Sequence, residues 1–309
     1  MKIYVIDSWR KHWTEGIEWW RSQGHDVKTG IYWGPEIVEE NDVVIFHPVD
    51  NNLKAGSHKH KKPKNTVVIA EAVDIDIYAG HLGAVDWSYV DHLVFMAKHM
   101  QDFAARKYGA KIADVPQTII PGGIDLGKWT LRQGEIGYNI AWIGRLWVPK
   151  DVFGALMVFN ELINKRPTSP WRLFLLHDNK WHPEWYKNHT LAYLEANPEL
   201  KERIEWFHHV PDVNVWLDEM EIDYLLQTSQ KEAFGYVIAQ AAAKGIKPII
   251  RNTNGALDLW PGGWIFDTHD EAVGMFKPYD RESIRFRVAA SYRLFHRMEA
   301  FDALIAQYA

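Results

Sequence analysis

Glu232 stands in the stretch "SQKEAFGYVIAQAAAKG", just before an apolar, alanine-rich run, and Gln240 follows eight places later. The run predicts a helix over 233–244, with Ala233, Phe234 and Gly235 in its first turn. Free N–H groups at a helix start, together with the helix dipole, attract an anion. A glycine there lets a phosphate or sugar approach the backbone, and a carboxylate at the mouth accepts hydrogen bonds from sugar hydroxyls. The plainer role for Glu232 is as a partner of the helix dipole.

Two further stretches carry suitable side chains. "GRLWVPKD" places Gly144, Arg145 and Lys150 just after the apolar run "NIAWI", where a guanidinium and an ammonium suit a phosphate. "RNTNGALD" follows the run "KPIIR" and offers polar side chains, Asn254 among them, beside Gly255. Read singly, the first is a pair of solvated charges and the second a tight turn.

The elements that must position these loops are legible as alternation. In the first half, "KIYVID", "DVKTGIYW", "DVVIFH", "TVVIA", "HLVFM" and "TIIP" read as strands, with helices at 11–23 and 97–108 among the intervening segments. A glycine-rich, aperiodic stretch, "PGGIDLGKWTLRQGEIG", then interrupts the pattern. A second series follows: "NIAWIG", a helix at 151–165, "WRLFLLH", a helix within 184–203, "IEWFH", "DYLLQ", the helix at 233–244 and "KPIIR". The fold class expected is α/β, two Rossmann-like doubly wound domains facing a cleft. The divisions are 1–122, a linker at 123–137, 138–279, and one or two helices over 280–309 packing back towards the first domain. Open α/β sheets bind ligands at the carboxyl ends of their strands, which is where all three loops fall.

Taken in order, "GRLWVPKD", "KEAFGYVIAQAAAKG" and "RNTNGALD" resemble the donor-binding domain of GT-B glycosyltransferases, specifically the retaining family 4 group. The likeness covers most of 138–270 and is looser in the first half, through "RSQGHDVKTG", "WSYVDHLVFMAKHM" and "IIPGGIDLGKW". The resemblance implies a retaining transfer of a sugar, a hexose with glucose first, from a nucleotide diphosphate donor, UDP first, to a hydroxyl acceptor. Arg145 and Lys150 would neutralise the diphosphate. Glu232 would hold the sugar, with Ser229, Phe234, Gly235, Tyr236 and Asn254 around the donor. The family has a second glutamate where this chain has Gln240, so the grip on the ribose is expected to be weaker or differently specific. The leaving diphosphate would itself take the acceptor proton, so no protein nucleophile is required. A non-catalytic nucleotide-sugar or glycan binding module on the same fold is the reading of another class.

On the acceptor side, Asp74, Asp76 and His81 follow the strand "TVVIA", where an acceptor hydroxyl must be oriented and deprotonated. Asp74-Ile75-Asp76 also imitates a DxD metal motif, which two ordered α/β halves argue against. Residues 54–64 gather five lysines and two histidines in what reads as a loop opening on the acceptor side. Lys59, Lys61, Lys62 and Lys64 there, with Trp9, are candidate acceptor contacts. DNA, through a hydroxymethylated base, is one acceptor class; a glycan or lipid-linked hydroxyl is the other. A flexible solvated loop is the plain alternative.

Composition bounds the rest. The 309 residues are 47% hydrophobic with net charge -5 and no cysteine, which excludes disulfides, thiolate metal sites and cysteine nucleophiles. No carboxylate stands at metal-ligand spacing from the pairs His58/His60 or His208/His209, so no metal site and no obligatory cofactor is expected; the nucleotide sugar is a co-substrate. No apolar run approaches the ~20 residues of a membrane span and no leader is evident, so a cytoplasmic location is expected. Of the 16 tryptophans, those near the start, spaced three or four apart, read mainly as core.

Overall fold

The structure, a computed structural model, describes residues 1–8, 13–31 and 34–308. It divides into two compact units, residues 1–125 with 292–309, and residues 126–291. Each is built on a six-stranded, wholly parallel sheet.

The first unit contains β1 (Lys2–Asp7), β2 (Asp26–Gly30), β3 (Val43–His47), β4 (Val67–Ala72), β5 (His92–Phe95) and β6 (Gln117–Ile119), in the spatial order β2-β1-β3-β4-β5-β6. Every residue of β3 and β5 is buried, as continuous apolar strands covered on both faces must be. Two of the early tryptophans are core, Trp13 just ahead of the helix Thr14–Ser22 and Trp20 within it, while Trp19 is partly buried against them. Trp13 and Trp20 are fully buried, stack at 5.4 Å between ring centroids, and pack on Phe301.

The second unit contains β7 (Asn139–Ile143), β8 (Arg172–His177), β9 (Ile204–His208), β10 (Tyr224–Gln227), β11 (Lys247–Arg251) and β12 (Ile265–Phe266), in the order β9-β8-β7-β10-β11-β12. This is the doubly wound Rossmann order, and the direction of winding reverses between β7 and β10. The helix Val152–Lys165 packs its apolar face, with Leu156, Phe159 and Leu162, into this unit's core.

Several expected elements shift. The helix expected from 233 begins only at Tyr236, because Gly235 sits in the left-handed region at φ 78 and cannot extend a helix. Ala233 and Phe234 therefore precede the helix. Most of the lysine-rich loop is helical: Asn51–Lys59 forms a short helix capped by the Asp50 carboxylate, which accepts the Asn52 N–H at 2.7 Å, and it buries Leu53, Gly56 and Ser57. The strand expected over "DVKTGIYW" ends at Gly30. The region 184–203 holds two helices, Glu184–Glu195 and Pro198–Glu202. The C-terminal region also forms two, Arg281–Ser291 in the second unit and Leu294–Ala306 in the first. Residues 126–137 belong to the second unit, where Arg132 pairs with Asp223 at 2.6 Å and the Arg285 guanidinium donates to the Leu126 carbonyl at 2.8 Å.

Candidate functional site

The reversal between β7 and β10 sets the loops after these two strands side by side at the carboxyl edge of the second sheet. Trp142, at the end of β7, donates its indole N–H to the Thr228 hydroxyl at 3.1 Å. Thr228 in turn donates to the Asp151 carbonyl at 2.7 Å, and the Gln230 N–H donates to the Pro149 carbonyl at 2.8 Å. Gly144 donates its N–H to the Leu176 carbonyl at 3.0 Å, and a side chain there would meet the Trp142 ring. Buried Leu146 then anchors the turn that carries Lys150.

This framework brings together two of the side chains singled out in the sequence. Lys150 Nζ lies 2.7 Å from Glu232 Oε2, each side chain roughly three-quarters buried. Arg145 is exposed and makes no ion pair among the described residues. One cation of the loop is thus held by a carboxylate while the other faces solvent.

Beside the pair lies a narrow depression with room for about one water molecule, partly open to solvent. Ser229, Glu232, Arg251, Asn254 and Trp260 contribute to its lining. Gly235 is required at its position twice over. Its φ of 78° disfavours any side chain, and a Cβ would stand 2.8 Å from Ile238 Cδ1 and 3.2 Å from Glu232 Cγ.

Other sequence candidates fall outside that lining. Phe234 is buried and packs on Trp260 and Tyr236 at 5.6 and 5.1 Å between centroids, so its ring shapes the loop from beneath. Tyr236 is half-buried. Gln240 is half-buried on the helix Tyr236–Ala243, and its side chain makes no hydrogen bond among the described residues.

Asp151, which closes the stretch "GRLWVPKD", and Arg251, which opens "RNTNGALD", complete this edge of the sheet, though neither is singled out by sequence as a site residue. Asp151, at φ 51, caps the helix Val152–Lys165 by accepting the Gly154 N–H at 3.0 Å. Arg251, at the end of β11, donates to the Asp151 carboxylate and to the Thr228 carbonyl, the latter at 3.0 Å. The Tyr186 hydroxyl accepts the Phe153 N–H at 2.9 Å and donates to Asp151 at 3.3 Å. Burial raises the Tyr186 phenol well above its ordinary value, so it stays protonated and able to donate.

In the first unit, Asp76 and His81 come together at the carboxyl edge beyond β4. Asp76 is fully buried and accepts the Val49 and Val73 N–H groups at 3.0 and 2.9 Å. Burial pushes its carboxyl up to about 6, against the opposing effect of His81 and the two N–H groups. His81 Nδ1 lies 3.2 Å from the Val49 carbonyl and 3.6 Å from Asp76 Oδ1, and the nearby Asp76 carboxyl raises its pKa. Nδ1 must carry the proton to serve the carbonyl, which leaves Nε2 as the basic nitrogen of a one-third exposed ring. Asp74 turns back on its own backbone, accepting the Ile75 N–H at 2.8 Å.

The same region holds an ion network that pattern reading passed over. Glu71, fully buried in β4, lies 2.6 Å from Arg297 Nη2 and 2.8 Å from His47 Nδ1, and accepts the Trp13 indole N–H at 3.0 Å. Burial acts to raise this carboxyl, but the charges of Arg297 and His47 prevail and hold it at about 2. A glutamate inside the apolar run "TVVIAEA" was the available signal.

The lysine-rich segment does not open where expected. It runs away from the carboxyl end of β3, and by Lys62 it has reached the opposite edge, where that ammonium pairs with Asp91 just ahead of β5. Exposed Lys64 borders a depression shared with Glu39, Glu40 and Asp42 at this amino-terminal edge. Lys59 and Lys61 are exposed. The reason is the connection itself, since a parallel crossover must return from the end of one strand to the start of the next. Trp9 lies outside the described residues. Among those described, no three His, Asp or Glu side chains converge as metal ligands, and no helix is long and apolar enough to cross a membrane.

No known family model matches the sequence, and no curated protein does. Solved structures do match. A glycosyltransferase from Rickettsia africae ESF-5 superposes with a TM-score of 0.68 at 13% identity, covering 99% of this chain and 98% of that one. HepE from Anabaena, in complex with UDP and glucose, gives 0.68 at 11% identity over 99% of both chains. Sucrose-phosphate synthase from Thermosynechococcus elongatus gives 0.74 at 10% identity over 99% and 98%. Likeness at such identities concerns architecture alone, and on it and the two parallel sheets the chain has the GT-B fold of two Rossmann-like units.

Proposed function

We propose that the chain is a glycosyltransferase that moves a hexose, glucose first, from a UDP-sugar to a hydroxyl acceptor with retention of anomeric configuration. The observation that carries this is the Lys150–Glu232 pair at the winding reversal of the second sheet, beside exposed Arg145. A diphosphate arriving at this edge would draw Lys150 from its carboxylate. Lys150 and Arg145 would then hold the phosphates, and Glu232 would accept hydrogen bonds from sugar hydroxyls. HepE, of similar fold, accommodates UDP and glucose.

The transfer breaks the bond between the anomeric carbon and the diphosphate oxygen and forms one to the acceptor oxygen on the same face. The acceptor proton passes to the departing diphosphate. His81, hydrogen-bonded through Nδ1 to the Val49 carbonyl, would orient the acceptor hydroxyl through its exposed edge. No divalent ion is assigned a part, because Lys150 and Arg145 supply the positive charge.

A glycan or lipid-linked hydroxyl is favoured as acceptor over a base in DNA because, of the lysines invoked for DNA, Lys62 is paired with Asp91 at the amino-terminal edge and Lys64 lies there beside Glu39, Glu40 and Asp42. A thermal-shift panel of UDP, GDP, ADP and dTDP without metal tests the donor. UDP alone should raise the midpoint, since ligand at 100 times its dissociation constant adds about 2.7 kcal/mol. No shift with any of them would count against the proposal. A UDP shift without release of UDP from UDP-glucose in the presence of acceptors would favour the non-catalytic module, a reading to which Gln240 lends itself.

A further inference from the structure

We propose that Arg251 is a positioning residue of the donor site, acting through Asp151, whose charge it neutralises beside Lys150. This rests on the reading of Lys150 as a diphosphate contact. Asp151 adjoins Lys150 in the chain, and its carboxylate would stand next to an incoming diphosphate. Left unneutralised, it would repel that ligand. The structure supplies both a restraint and a counter-charge: Arg251 donates to Asp151 and to the Thr228 carbonyl at 3.0 Å, so one guanidinium joins the loops after β7, β10 and β11. Both partners are largely buried, with side chains 23% and 14% exposed, so water screens their attraction incompletely.

Three observations make the pair a built feature. Asp151 occupies a left-handed position at φ 51, where a side chain needs a local reason to be accepted; its cap on the Gly154 N–H at 3.0 Å supplies one. Tyr186 contributes a hydroxyl at 3.3 Å from a third direction. Gly154 is obligatory for the pair, because a Cβ there would stand 2.6 Å from Asp151 Oδ2 and 2.7 Å from Arg251 Nη2. Arg251 also borders the depression that holds Glu232 and Asn254, so the restraint operates at the site itself.

The test is calorimetric titration of UDP into wild type, Arg251→Gln, Arg251→Lys and the double variant Arg251→Gln/Asp151→Asn, with the unfolding midpoint of each. Arg251→Gln should weaken UDP by roughly tenfold or more, since an uncompensated carboxylate near the ligand costs at least the ~1.4 kcal/mol that one decade represents. Arg251→Lys should keep most of the affinity. The double variant should regain most of what Arg251→Gln loses, because the offending charge is gone. A double variant as weak as Arg251→Gln would mean that Arg251 touches the phosphates itself, and would overturn the proposal, as would an unaltered dissociation constant in Arg251→Gln. A lowered midpoint with unaltered affinity would reduce Arg251 to a structural role. If Arg251→Gln does not fold, Gly154→Ala disrupts the same pair and should weaken UDP likewise. Wild-type protein that binds no UDP would overturn the functional reading and this proposal together, whereas normal wild-type binding with an indifferent Arg251 overturns this proposal alone.

Discussion

Lys150 Nζ and Glu232 Oε2 lie 2.7 Å apart across the two loops that meet where the second sheet reverses its winding. The pair keeps a cation and an anion together at one point, and on the proposed function the phosphates and sugar hydroxyls of a donor would be their alternative partners. Glu232→Gln removes the competitor for Lys150 while keeping the side chain's shape. UDP should therefore bind as well or slightly better, while transfer from UDP-glucose should fall by roughly 10²-fold, in line with ~2.7 kcal/mol of lost transition-state stabilisation. Steady-state kinetics beside calorimetry checks both halves.

Gln240→Glu restores a charged acceptor on the helix Tyr236–Ala243. A hydrogen bond to a charged group contributes about 1.5–3 kcal/mol where a neutral one gives about 1, so UDP affinity should rise several-fold. An unchanged dissociation constant would place the ribose beyond the reach of this side chain.

Asp76 makes the stability of the first unit fall between about pH 4 and 6. Its folded pKa, about 6, lies above the ordinary 3.8, so its contribution to stability is complete below about pH 4 and is lost as the pH rises through 6. His81, also raised above its ordinary 6.5, acts in the same sense and loses its contribution above that value. The Asp76 shift corresponds to a loss on the order of 3 kcal/mol across the window. Asp76→Asn should flatten the fall in unfolding midpoint between pH 4 and 7. An identical fall in the variant would count against a buried, elevated carboxyl.

Arg297→Met leaves the Glu71 carboxylate in the core without its guanidinium. Removing one partner of a buried pair costs on the order of 3–5 kcal/mol, and the first unit should unfold at correspondingly lower denaturant. Adding Glu71→Gln should recover part of the loss. Glu71, depressed to about 2, contributes stability above its ordinary 4.5 that disappears as the pH falls through 2, so the wild type should be acid-labile in that window.

The placement of the lysines predicts weak binding to duplex DNA. Affinity measured between 50 and 200 mM salt should be low, and replacing Lys59, Lys61, Lys62 and Lys64 by Gln should change it little. A slope of log affinity on log salt near -0.9 for each phosphate neutralised, abolished by those substitutions, would restore the nucleic-acid acceptor.

The sequence showed the sheets clearly because parallel strands buried on both faces are unbroken apolar runs, such as "DVVIFH" and "NIAWI". It showed the loops of Gly144, Arg145, Lys150 and Glu232 for a related reason: loops that follow such runs must lie at the carboxyl edge of the sheet. It misplaced the start of the helix after Glu232, because Gly235 is compatible with a helix start by composition and only its left-handed backbone removes it. The Asp151–Arg251 contact was illegible, since its members are separated by 100 positions and each has an ordinary local role. The network of His47, Glu71 and Arg297 was hidden for the same reason, its glutamate and arginine lying 226 positions apart. Lysine-rich 54–64 misled because charge density says nothing of which end of a crossover a residue occupies.

The most direct measurement is the dissociation constant of UDP, without metal, for the wild type and for Lys150→Ala. The account predicts measurable wild-type binding, weakened about tenfold or more in the variant, since a charge-assisted phosphate contact contributes about 1.5–3 kcal/mol. Equal affinities in the two proteins, or none in either, would contradict it.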